Sequence, residues 1–163
     1  MRPHTLLALG PAFALAGALA ASAPAAAEDA GARAAYQDIE QTLGLVPGFL
    51  RLFPEPGIAG AWASFKAVQL SPDTALNGKA KELIGLAVAA QIPCHYCVYF
   101  HTAAAKANGA TEQEIREALA MAAIVRHWST VLQGMLVDPA SFRTETDTVL
   151  RLAAERAKAA PTR

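Results

Sequence analysis

Cysteine is scarce in this chain, with two residues in 163, three positions apart. A scaffold stapled by disulfides needs more than one such pair. A charge excess of either sign is also missing. Fourteen Lys and Arg balance fourteen Asp and Glu, so no basic field exists to hold nucleic acid by its phosphates, and nucleic acid is not an expected partner. Strict alternation of apolar and polar residues is absent, so no strands are expected. Charged residues make up only 17% of the chain against 53% hydrophobic, which excludes a disordered polymer and leaves enough apolar material for a core. What is abundant is alanine, at 39 residues, and that favours helix over sheet. The length suits one domain.

The first 27 residues read as an address rather than as structure. Arg2 is followed by an uncharged run from Thr5 to Ala27, with Leu6 to Ala21 as its apolar stretch. Ala25-Ala26-Ala27 is a small-residue cleavage pattern ahead of Glu28-Asp29. No twin-Arg pair and no lipid-accepting Cys accompanies it. The expectation is a cleaved secretory signal over 1–27 and a single mature domain over 28–163, periplasmic or secreted, with no membrane attachment after cleavage. An exported Cys pair can be stably oxidised, unlike a cytosolic one.

Along the mature part, Glu28 to Ala35 reads as a loose start and Tyr36 to Leu43 as a helix stopped by Gly44. Leu45 to Pro56 is Pro- and Gly-rich and irregular, with one turn at Phe49 to Leu52 and with Val46, Phe49, Leu50 and Phe53 facing the core. Helices are expected over Ala59 to Leu70, with Trp62 and Phe65 in the core, and over Asn77 to Gln91. The next runs from Pro93 to Asn108, with Pro at the first helical position and Gly109 as its stop. Another opens with the Thr111/Glu114 capping box and reaches about Met135. A last amphipathic helix follows Asp138-Pro139 to Ala159. Lys79 and Lys81 read as a solvated face, His127 and Trp128 as packing or helix surface, and Tyr99 and Phe100 as core or subunit contact.

The chemistry-bearing stretch is Pro93-Cys94-His95-Tyr96-Cys97-Val98-Tyr99-Phe100-His101. On a helix, Cys94, Cys97 and His101 fall within an arc of about 60° at about 100° per residue. Cys97 and His101 are i, i+4 neighbours, and a thiol beside an imidazole is the arrangement that makes a thiolate near neutral pH. Glu82 lies on the apolar face of the preceding helix, where a carboxylate needs a partner. If the two helices fold back as an antiparallel hairpin, Glu82 and His101 reach similar heights and can meet.

Other readings of the pair compete. A c-type haem site needs His directly after the second Cys, where Val98 stands. A thioredoxin-like site follows a strand, whereas the run before Cys94 is helical. Zinc would draw on Cys94, Cys97, His101 and His95 or Glu82, but a second ligand pair is missing. A purely structural disulfide or buried thiol pair remains the bland alternative.

The spacing Glu82, eleven residues, Cys94-x-x-Cys97, three residues, His101 resembles the signature of the alkylhydroperoxidase D-like, or carboxymuconolactone decarboxylase, family. Lys81-Glu82-Leu83-Ile84 and Ala107-Asn108-Gly109-Ala110 extend the likeness over about Asn77 to Leu136, and Leu43 to Phe53 resembles the start of the peroxidase-related, CxxC-containing branch. The resemblance implies an all-α AhpD-like fold, with an antiparallel helix pair carrying the CxxC site, assembled as a trimer or hexamer. It implies a thiol peroxidase or disulfide reductase acting on hydroperoxides or disulfides, recycled by a thiol reductant, with no cofactor and no metal. Carried over, Cys97 attacks the peroxide, Cys94 resolves it into a Cys94–Cys97 disulfide, and Glu82 with His101 forms a proton relay. Hydroperoxidase members place His immediately before the second Cys. Here that position is Tyr96 with His95 one earlier, and these two are the candidate assisting residues. Members acting as lactone decarboxylases lack the Cys pair, which sets a decarboxylase reading behind the peroxidase one. The non-enzymatic alternative is a helical assembly protein whose Cys pair is structural or binds metal.

Overall fold

The computed structural model describes residues 23–159, with side chains from residue 30. All regular structure among them is helical, as expected. The apolar stretch of the predicted signal lies outside the described residues, and the Ala25-Ala26-Ala27 pattern falls in the first turns of a helix. No helix among the described residues is long and apolar enough to cross a membrane. The chain falls into two compact units, one ending at Val68 and the other beginning at Gln69.

In the first unit, α1 spans Ala23–Leu43 and α2 Glu55–Phe65, joined through a 3-10 turn at Gly48–Leu52. α1 therefore starts well before Tyr36. The Glu28 to Ala35 segment is helical because its alanines carry high helix propensity and because Ala32, Ala35 and Ile39, spaced along one face, close onto Ile58 and Trp62 of α2. Ile39 and Ile58 are fully buried, worth roughly 1.5–3 kcal/mol each. Val46 and Leu50 pack against this core as expected, but Phe49 and Phe53 are largely exposed. Only one side of the short 3-10 turn can face inward. Trp62 Nε1 donates to Asp38 at 2.6 Å, and Lys66 Nζ donates to the same carboxylate at 2.7 Å. Lys66, then Trp62, hold the Asp38 carboxyl below the usual carboxylate range.

α2 begins at Glu55 rather than Ala59, with Pro54 as its cap and Pro56 in its first turn, where a missing N–H is harmless. It also stops at Phe65, and Lys66–Leu70 forms a π turn.

The second unit carries α3 (Gly78–Gln91), α4 (His95–Ala107), α5 (Glu112–Gly134) and α6 (Pro139–Ala159). Asn77 caps α3 by accepting from the Ala80 amide at 2.9 Å. Contacts that run in opposite senses, Gly78 against Asn108 and Gly85 against His101, make α3 and α4 an antiparallel hairpin. Gly109 ends α4 in the left-handed region, at φ 80°, which glycine adopts without a Cβ clash. The Thr111/Glu114 capping box forms in full. α5 is tied back to α3 by Gln91, which donates to the Ala122 carbonyl at 2.6 Å and accepts from Arg126 at 2.7 Å. Lys79 and Lys81 are not a free solvated face. Lys79 bonds Glu114 of α5 at 2.8 Å and Lys81 the Ser71 carbonyl at 2.8 Å. α6 buries none of its side chains.

Candidate active site

The site is built on the α3–α4 hairpin. Pro93 precedes α4 rather than opening it. Cys94 is the N-cap, in extended backbone at φ −92°, ψ 97°, and its sulfur accepts the Cys97 amide at 3.2 Å. Sequence spacing alone puts Cys94 on the helix, but the cap holds it just outside, where a sulfur atom occupies the place usually taken by a Ser or Asp oxygen. Cys97 is then the third helical residue, and the two join in a disulfide with Cα atoms 5.3 Å apart. Both cysteines are half-buried, open enough for a second thiol to approach. His95 and Tyr96, the first two helical residues, are exposed, Tyr96 at 90%, and neither is turned into the hairpin.

His101 lies one turn beyond Cys97 on α4. Its Nδ1 is 2.7 Å from Oε2 of Glu82. Glu82 is the only buried charged side chain among the described residues, at 5% exposure. Its carboxylate also accepts from Nε2 of Gln69, 3.1 Å from Oε1 and 3.5 Å from Oε2. A buried carboxylate is tolerated when hydrogen bonds replace its water, and here it has two donors. With Glu82 ionised, Nδ1 of His101 carries the proton and Nε2 is left to exchange one. The thiol pair, the imidazole and the carboxylate thus occupy one hairpin, with the sulfurs at its turn end.

Two residues of this site escape a motif search. Gln69 sits in the π turn, thirteen positions before Glu82, outside any fixed spacing. Gly85 is the other. A Cβ there would meet the His101 ring, 2.5 Å from Nδ1 and 2.9 Å from Cγ, so only glycine leaves room for the imidazole against α3. Its signal was present: a glycine within an Ala- and Leu-rich helix costs about 1 kcal/mol and calls for a reason. Of the remaining aromatics, Tyr99 is 79% exposed and Phe100 42%, so neither belongs to the core of this unit. Among the described residues no group of three or more His, Cys, Asp and Glu is placed to hold a metal ion.

The carboxymuconolactone decarboxylase family model matches residues 56–137, half of the chain, including every residue of this hairpin. The chain belongs to the carboxymuconolactone decarboxylase family. Within it, the chain has the AhpD fold. It is similar to the crystal structure of the alkylhydroperoxidase AhpD core from Rhodospirillum rubrum, with a TM-score of 0.58 and 28% identity, over 79% of this chain and 98% of that one. A curated relative, uncharacterized protein 4 in cox locus of Paracoccus denitrificans, is 41% identical over 54 residues, 33% of this chain. The match spans about half of that relative, at 49% of its length. The family includes decarboxylases as well as hydroperoxidases, so membership gives the scaffold and not the reaction.

Proposed function

We propose that this protein is an exported thiol peroxidase of the AhpD type, which reduces a hydroperoxide, or exchanges a disulfide, through Cys94 and Cys97. The observation that carries this reading is the buried Glu82–His101 pair, at 2.7 Å, one helical turn from a vicinal disulfide-forming thiol. A purely structural disulfide has no use for a buried carboxylate–imidazole pair held beside it.

In the reduced protein, His101 takes the proton of Cys97, whose thiolate attacks one peroxide oxygen. The O–O bond breaks, the leaving alkoxide takes up a proton through His101, and Cys97 becomes a sulfenic acid. Cys94 attacks that sulfur, water leaves, and the disulfide closes. One hydroperoxide and two protein thiols thus yield an alcohol, water and a disulfide. An external dithiol returns the two electrons. Glu82 orients His101 and stabilises its cationic form. Peroxide consumption by the full chain, with a dithiol donor and with Cys94→Ser and Cys97→Ser as controls, tests the reading. Equal rates in parent and variants would defeat it.

Assembly belongs to the same proposal. Ile124, Val125, Trp128 and Val131 on α5 and Phe142 and Val149 on α6 are exposed apolar side chains, the kind of surface that marks an interaction site when it is contiguous. A homo-oligomer, trimer or hexamer, covers these faces, and light scattering reads its mass. Export rests on the uncharged N-terminal run and the Ala25-Ala26-Ala27 pattern. Intact mass of protein recovered from the periplasm should lack about 27 residues.

A further inference from the structure

We infer that Gln69 is a positioning residue for the Glu82–His101 pair, donating its side-chain amide to the buried carboxylate so that Glu82 stays aimed at the imidazole. The inference rests on the thiol chemistry proposed above for this site. Three observations support it. Gln69 Nε2 lies 3.1 Å from Oε1 of Glu82, the oxygen opposite the one His101 uses. The lysines flanking Glu82 on α3 are directed elsewhere, Lys79 to Glu114 of α5 and Lys81 to the Ser71 carbonyl. A neutral donor therefore does what a cation commonly does for a buried carboxylate. Lastly, Gln69 sits within the π turn Lys66–Leu70. Such wide i→i+5 turns are rare and occur frequently at functional sites.

A carboxylate only accepts, so the amide nitrogen, and not its oxygen, must face Glu82. Without Gln69 the carboxylate loses one of its two donors and its fixed orientation. His101 then loses the partner that holds its Nδ1 proton and leaves Nε2 free. Gln69 hydrogen-bonds Glu82 and neither thiol, so its effect reaches Cys97 through Glu82 and His101.

The test is the rate at which iodoacetamide alkylates Cys97 in the reduced full chain, located by fragment mass, across a pH series. No peroxide is involved. Gln69→Leu should slow alkylation near neutral pH by roughly tenfold to a hundredfold, the size of a lost hydrogen bond to a charged group. Gln69→Glu keeps the shape but sets a second carboxylate against Glu82. It should be slow near neutral pH, and its rate relative to the parent should rise as the pH falls and the two carboxyls come to share a proton. If Gln69→Leu does not fold, by helix content, Gln69→Glu carries the test, because a misfolded chain has no reason to recover in acid. Parental rates and a parental pH profile in both variants would overturn the inference. A Gln69 effect on alkylation in a parent that reduces no peroxide would leave it standing while removing the peroxidase reading. Peroxide reduction with no Gln69 effect would do the reverse.

Discussion

The Glu82 carboxylate and the His101 imidazole face each other across the α3–α4 hairpin at 2.7 Å, the carboxylate buried and the ring largely so. They are nineteen positions apart in the chain, and the fold closes that gap with one tight turn at Ile92 to Cys94. The pair is therefore a direct product of the hairpin, and anything that shifts α3 against α4 changes the imidazole's contact with the carboxylate.

Glu82→Gln removes the charge and keeps the size. General-base assistance typically contributes 10²–10⁴-fold, so peroxide reduction should fall by a factor in that range. Folding should survive, because an amide in place of a buried carboxylate removes a desolvation cost. Circular dichroism and steady-state rates measured on the same preparation check both halves. A variant that unfolds while its folded fraction keeps full specific activity would make Glu82 structural.

Gly85→Ala separates helix propensity from site geometry. Alanine is the better helix former by about 1 kcal/mol, yet its Cβ would push into the His101 ring at Nδ1 and Cγ. A misplacement of about 1 Å can cost about 10²-fold in rate, so turnover should drop by that order with the helix content retained. Gly60→Ala is the control. Nothing lies within 4 Å of a Cβ there, so it should raise stability by about 0.5–1 kcal/mol and leave turnover alone. Thermal melts and peroxide assays on the two variants give the comparison. Full turnover in Gly85→Ala would show that the ring has room to move without loss.

Much of this site was legible from spacing, because a helix converts sequence separation into position. Glu82 on an apolar face demanded a partner, and the hairpin length put His101 at the right height. The capping box at Thr111 and the stop at Gly109 could be read for the same reason, since each depends only on residues within a turn. The helix expected to open at Pro93 starts two residues later, at His95, because the Cys94 sulfur accepts the Cys97 amide and makes Cys94 the cap. Gln69 and the π turn could not be read, since their geometry depends on what α3 presents to them. α1 began earlier than expected because its alanines gain a packing partner in α2, a tertiary term invisible along the chain.

The α3–α5 contact adds an acid-sensitive ion pair to the second unit. Lys79, followed by the Thr111 amide, holds the Glu114 carboxyl down to about 2, against an ordinary 4.5. A carboxyl lowered in the folded state adds stability that is fully present above the unfolded value and is lost as the pH falls through the folded one. The parent should therefore lose stability between pH 4.5 and 2 more steeply than Glu114→Gln. The group lies on the surface, so the difference should be small and should shrink with added salt. Urea midpoints across that window, in low and high salt, measure it. Parallel curves for the two proteins would remove the contact from the acid response.

The division of labour between the thiols is the sharpest question the hairpin poses. Two arguments pull apart. Cys94 is the helix cap, and its sulfur already accepts an N–H at 3.2 Å, which favours a thiolate there. Cys97 is the third helical residue, so it shares the helix-end field, and it has His101 one turn away, backed by Glu82. The field can stabilise a thiolate, but only a base can carry the proton away and return it to the leaving oxygen. Cys97 is therefore expected to meet the peroxide. In Cys94→Ser, one equivalent of peroxide should leave a sulfenic acid on Cys97, trapped by a dimedone-type reagent and located by peptide mass. In Cys97→Ser, Cys94 should stay mostly thiol under the same treatment. Labelling mainly at Cys94 would reverse the roles and make the cap, rather than the imidazole, the activating feature. No labelling in either variant, with a disulfide in the parent that resists dithiol reduction, would make the pair structural and leave the Glu82–His101 contact as packing.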